Sequence, residues 1–133
     1  MEVDRLRYSK VKGVVIDTNM FLVPYQLGID VLEEIRRLLP GIRVYTIPPV
    51  LREIKRLSES GNTNERLAAR IGLKIAEQVE VLSIEGDSAD RVLLELAKKG
   101  FIVATNDREL RRKIREAGGL TVFVRKRDHL EVG

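Results

Sequence analysis

The chain has no cysteine and no tryptophan. Without cysteine there can be no disulfide and no cysteine-ligated zinc or iron–sulfur centre. Three Tyr and three Phe are too few for a broad platform on which bases could stack. The single histidine, His129, lies near the carboxyl end, where it is expected to be an exposed bystander. No apolar run approaches the about 20 residues needed to cross a bilayer, and Met1 to Lys10 lacks the apolar stretch of a signal peptide. These absences fit a cytoplasmic chain that neither enters nor lines a membrane. No G-x-x-x-x-G-K-[ST] or G-x-G-x-x-G is present, which argues against phosphate binding through a glycine-rich loop.

What remains is a charged chain of 133 residues, 33% charged and 44% hydrophobic, enough to fill the core of one domain. A single domain over 1–133 is expected, with its core at about 12–125. The net charge is +4, unevenly spread. Between Arg108 and Arg127 stand eight Lys or Arg against two Glu, a net of +6, so the rest of the chain is net −2. Such a stretch is either a solvated helix face and edge strand or a surface facing a polyphosphate. It begins directly after Asp107, which favours the second.

Short apolar runs alternate with helical periodicity. Strands are expected at 12–16, 42–47, 79–84, 101–104 and 120–124. Helices are expected at 29–39, 50–57, 65–78, 90–99 and 108–117. The prolines at 48 and 49 open the second helix, and Gly100 closes the fourth. Asp17-Thr18-Asn19 reads as a loop, 58–64 as a polar and mobile loop, and 125–133 as a polar tail. The alternation predicts an α/β fold in three layers, a central parallel sheet of about five strands with helices on both faces.

In such sheets ligands bind beyond the carboxyl ends of the strands. Asp17 follows Gly13-Val14-Val15-Ile16, and Asp107 follows Phe101-Ile102-Val103-Ala104-Thr105-Asn106. Glu53 and Asp90 belong to helices that flank the same edge. Each acid also has an ordinary structural use: turning the chain for Asp17, a helix amino end for Glu53 and Asp90, a cap for Asp107. Asp87 competes with Asp90, and Asn106 with Asp107 as the cap. Four carboxylates on one edge repel one another unless a cation joins them. Oxygen-only donors favour Mg²⁺ or Mn²⁺. Thr18, Asn19, Thr105 and Asn106 flank the two strand-end acids and are expected to hold them by hydrogen bonds. Arg108, Arg111, Arg112 and Arg115, with Lys12 and 125–127, are the candidate phosphate contacts.

Four ordered segments carry a resemblance: Val14 to Asn19, Pro49 to Ile54, Asp90 to Ala97 and Val103 to Leu110. Together they make the chain resemble a PIN-domain ribonuclease. The resemblance implies a PIN fold and an acidic metal site of Asp17, Glu53, Asp90 and Asp107, which would cut RNA with Mg²⁺ or Mn²⁺. The run from Thr105 to Arg115 looks most like the branch that processes small-subunit ribosomal RNA. Eukaryotic members of that branch can carry cysteine clusters, and no such zinc-dependent feature transfers here. The resemblance also allows the ribonuclease toxin of a toxin–antitoxin pair, or an idle scaffold that binds RNA. It further implies a protein partner or a homo-oligomer. A phosphatase of the haloacid dehalogenase type is disfavoured, because Asn19 stands where that family places a second Asp.

Overall fold

The computed structural model describes Tyr8 and residues 10–133. The expected loose lead-in at 1–10 therefore falls almost wholly outside the described residues. The strands are β1 (Gly13–Ile16), β2 (Val44–Thr46), β3 (Glu80–Val81), β4 (Phe101–Ala104), β5 (Thr121–Arg125) and β6 (His129–Val132). The helices are α1 (Thr18–Leu27), α2 (Val31–Leu38), α3 (Pro48–Ser60), α4 (Thr63–Ala76), α5 (Ala89–Lys98) and α6 (Arg108–Glu116).

The sheet order is β3-β2-β1-β4-β5-β6, parallel except for β6. β1 is fully buried and β4 nearly so, which is why both read as continuous apolar runs rather than alternating ones. Right-handed crossovers put the helices of the β1-β2-β3 half on one face and α5 and α6 on the other. The packing agrees: α1 and α3 both lie on α4, and α5 lies on α6. Connections leave β1 and β4 in opposite directions, so a crevice opens between their carboxyl ends.

Three expectations are corrected. The loop at Asp17-Thr18-Asn19 is the start of α1, a helix disguised by Pro24 in its interior. Asp17 is its N-cap, and Gly28, in the left-handed region, closes it. On its inner side Gly72 of α4 comes so near α1 that a Cβ there would lie 2.8 Å from the Phe21 carbonyl oxygen. The expected mobile loop at 58–64 is only Gly61-Asn62 between two helices. Asn62 accepts a hydrogen bond from the Glu65 N–H, and Glu65 accepts one from the Asn62 N–H, both at 2.9 Å.

The third correction concerns 125–133, which is not a tail. β6 returns antiparallel to β5 and anchors itself with the fully buried Leu130. Burying a leucine contributes about 1.5–3 kcal/mol, enough to hold a short strand. The turn that reverses the chain has Lys126 and Arg127 at φ of 54° and 63°. Those positions usually carry Gly or Asn, and a larger side chain there costs roughly 1–2 kcal/mol per residue.

Asn62→Ala is expected to lower stability by about 1 kcal/mol through loss of the reciprocal cap, read by chemical denaturation. An unchanged midpoint would mean that 58–64 is loose in solution.

Candidate active site

Asp17 is brought to the crevice by β1 and held there by β4. Its N–H donates to the Ala104 carbonyl at 2.9 Å. One carboxylate oxygen, Oδ1, accepts from the Thr18 N–H at 2.7 Å. The other, Oδ2, accepts from the Thr105 hydroxyl at 2.8 Å and the Asn19 amide at 3.2 Å. The same hydroxyl accepts from the Asp107 N–H at 3.1 Å. Asn19 Oδ1 accepts from the Asn106 N–H at 2.9 Å, and Asn106 Oδ1 accepts from the Val124 N–H at 2.8 Å. A polar strap therefore runs from β1 across β4 to β5, and it dictates where Asp17 points. Thr18 contributes only its backbone to that strap.

Asp107 is the N-cap of α6, its Oδ1 accepting from the N–H groups of Glu109 and Leu110 at 2.9 and 3.1 Å. Asn106 is thus the strap and Asp107 the cap. The cap occupies Oδ1 alone. Ser88 caps α5, which leaves Asp87 and Asp90 without that duty. Asp90 follows in the first turn of α5.

These acids line an open cleft of about 660 Å³ together with Glu53, Asp87, Glu65, Arg52 and Arg56. Asp17 is only 5% exposed. Burial pushes its carboxyl above the ordinary value, hydrogen bonds from Thr105 and Thr18 oppose that, and repulsion from Asp90 and Asp107 adds to it. Asp90 is also raised, first by partial burial and then by Asp107, with Lys113 opposing. Asp17, Asp90 and Asp107 therefore form a mutually repelling trio, with Asp90 rather than Asp87 as the third member.

Glu53 stands apart. It takes two hydrogen bonds from the Arg56 guanidinium, at 2.8 and 3.1 Å, and these hold its carboxyl below the ordinary value. Arg56, Arg52 and Glu65 were not legible as cleft residues, although Glu53 and Arg56 stand at a helical i,i+3 spacing that hints at their pairing.

Whether the trio suits a cation follows from its donors. Three carboxylates that repel one another, two of them raised by burial, favour a hard ion, which relieves the repulsion. Among the described residues no three acids close around one point as they stand, so an ion here would keep part of its water shell, as Mg²⁺ does.

The basic candidates divide. Arg112 is bound by Glu109 and Glu116 on its own helix. Arg111 lies over the Phe123 ring at 3.6 Å. Burial, then repulsion from Arg115, Arg108 and Arg125, lowers its pKa. Arg108 and Arg115 make no ion pair among the described residues and line a groove of about 450 Å³ with Arg111 and Arg112. Lys12 precedes β1, so it lies at the opposite edge of the sheet from the acids. His129 packs against Asp128 in the β5–β6 hairpin and does not line the cleft.

Asp17 binds its proton more tightly folded than unfolded. It therefore favours folding below 3.8 and loses that contribution as pH rises through its raised value. In metal-free protein, wild type is expected to lose stability relative to Asp17→Asn as pH climbs from about 3.8, read by urea denaturation at stepped pH. A pH-independent difference would contradict the burial of this charge.

A family model described as a PIN-like domain matches residues 14–127. Ribonuclease VapC9 of Archaeoglobus fulgidus is 39% identical over 120 residues, 89% of this chain and 87% of that protein. Ribonuclease VapC4 of Methanocaldococcus jannaschii is 29% identical over 124 residues, 90% and 95% of the two chains. A solved structure of the PIN domain endonuclease Utp24 shares the fold with a TM-score of 0.72 at 27% identity, over 90% of both chains. With its acids gathered where β1 and β4 part, the chain belongs to the PIN-like domain family.

Proposed function

We propose that this chain is a metal-dependent endoribonuclease that hydrolyses RNA phosphodiester bonds at the cleft of Asp17, Asp90 and Asp107. One observation carries the reading. A buried carboxylate, fixed by hydrogen bonds on both oxygens, is kept beside two others that repel it. That arrangement costs stability and is of use when a cation sits among them. The relatives add support, since two bear the name ribonuclease and Utp24 is described as an endonuclease.

Asp17 and Asp107 would hold the main Mg²⁺ or Mn²⁺, with Asp90 completing its shell. Glu53 would join through water, or directly once it leaves Arg56. A bound ion would supply an activated water and neutralise charge on the departing oxygen. Thr105 and Asn19 fix the Asp17 carboxylate before the ion arrives, so no reorientation is needed during reaction. Asp107 is oriented by capping α6 through one oxygen. Arg108, Arg111 and Arg115 hold phosphates of the same strand, whereas Arg112 must first give up its two glutamates. Lys12 could meet only RNA that wraps to the far edge of the sheet. Arg56, freed from Glu53, would face the cleft as a further cation.

Within this activity, precursor ribosomal RNA is the substrate class that the resemblance of the run from Thr105 to Arg115 favours. The VapC relatives favour a second reading, a ribonuclease toxin restrained by a partner protein. With few aromatic side chains, RNA shape or such a partner would supply specificity.

Labelled structured RNA, including small-subunit ribosomal precursor fragments, is expected to be cut with Mn²⁺ or Mg²⁺ and spared in EDTA. Asp17→Asn and Asp107→Asn should each lower the rate by about 100-fold or more, the scale of removing one charge-stabilising group. Cuts confined to precursor junctions support ribosomal processing, and cuts in other RNAs support the toxin. Binding without cleavage, unchanged by either substitution, would leave an idle scaffold. Arg108→Ala and Arg115→Ala are expected to raise KM more than Arg112→Ala does, in a steady-state comparison on one substrate.

A further inference from the structure

The β5–β6 hairpin tip lines neither the acidic cleft nor the arginine groove. β5 pairs in parallel with β4, with Ala104 opposite Val122. Its carboxyl end therefore points to the same edge as Asp17 and Asp107. Arg125 lies three residues beyond Val122, so the turn stands roughly 10 Å above the level of Ala104 at 3.3 Å per residue. It rises beside the crevice as a wall, two strands from β1.

Three features of the wall call for explanation. Its two central residues, Lys126 and Arg127, take positive φ where Gly or Asn would be unstrained. Both are exposed, and neither makes an ion pair among the described residues. The neighbouring charges are engaged elsewhere: Arg125 with Glu131 at 3.2 Å, and Asp128 with His129 at 2.6 Å. The base of the wall is also tied to the acidic site, because Val124 donates to Asn106, and Asn106 to Asn19 beside Asp17. Strain that persists at a turn held this firmly points to use rather than accident.

We propose that the Lys126-Arg127 tip is a phosphate clamp, gripping the substrate RNA strand on the β5 side of the cleft and setting its register over the acids. The proposal rests on the endoribonuclease reading and adds a contact to it. The two cations attract the backbone without reading bases. The strap through Asn106 keeps the clamp at a constant height over Asp17.

The test is a turn that is ideal for the backbone and poor for the ligand. Lys126→Asn with Arg127→Gly supplies the residues that a positive-φ turn prefers and removes both charges. The melting temperature is expected to rise. The dissociation constant for a fluorescein-labelled single-stranded RNA, measured by anisotropy in EDTA, should increase several-fold. The salt slope of binding should fall by about 0.7 for each phosphate that the tip no longer neutralises. With Mn²⁺, KM should rise and the cut position on a defined RNA should shift. The charge-retaining pair Lys126→Arg with Arg127→Lys should bind like wild type.

If the Asn-Gly variant binds RNA with wild-type affinity and salt slope, the clamp is overturned while the nuclease stands. A lower melting temperature in that variant would equally overturn it, since the tip would then not be strained for function. If wild type neither binds nor cuts RNA, both readings fall together.

Discussion

The Thr105 hydroxyl is the hinge on which this structure turns. It donates to Asp17 at the end of β1 and accepts the N–H of Asp107 at the start of α6. One side chain thus sets the relation between the two acids that end the two central strands. A fully buried hydroxyl with no partner would be costly, and Thr105 avoids that cost by also accepting from the Asn19 amide at 3.2 Å. Asn19 and Asn106 extend the same logic to β5. Among the described residues no buried side-chain nitrogen or oxygen lacks a partner, which makes the strap a closed network. Such networks impose one geometry and tolerate little slack.

The repulsion within the acidic trio is moderated by the fold itself. Asp17 caps α1, Asp107 caps α6, and Asp90 lies in the first turn of α5. Three helix amino ends therefore point their positive ends at one crevice. This follows from topology, since each helix begins near the edge where a parallel strand ends. The dipoles let carboxylates gather, and burial first, then the residual repulsion, leaves Asp17 and Asp90 raised. On the far side of α6 the opposite problem exists, with Arg108, Arg111, Arg115 and Arg125 crowding one another. An acidic cleft beside a crowded basic groove is an arrangement that a cation and a polyanion relieve together.

Much of this was legible in the sequence, for identifiable reasons. Val14-Val15-Ile16 and Ile102-Val103-Ala104 could only be buried strands, and an acid close after each had to lie at the sheet edge. The resemblance named the same four acids. What escaped was whatever depends on distant partners or on turn chemistry that breaks the usual rules. Pro24 and an Asp-Thr-Asn sequence masked α1, because the cap that starts that helix looks like a turn. Lys126-Arg127 masked the hairpin, because neither residue prefers positive φ. The hydrogen bond from Thr105 to Asp17 joins residues far apart in the chain, and local pattern says nothing of it. Glu53 sat at the right spacing to pair with Arg56, yet only the rotamers reveal that its carboxylate is engaged.

The central claim is that Asp17, Asp90 and Asp107 hold one divalent cation. Crystals grown with Mn²⁺ and measured at the manganese edge test it most directly. An anomalous peak is expected among those three carboxylates, with water completing the shell and the strap from Thr105 to Asp17 intact. A protein that takes up no manganese there, or takes it up elsewhere without Asp17, would contradict it.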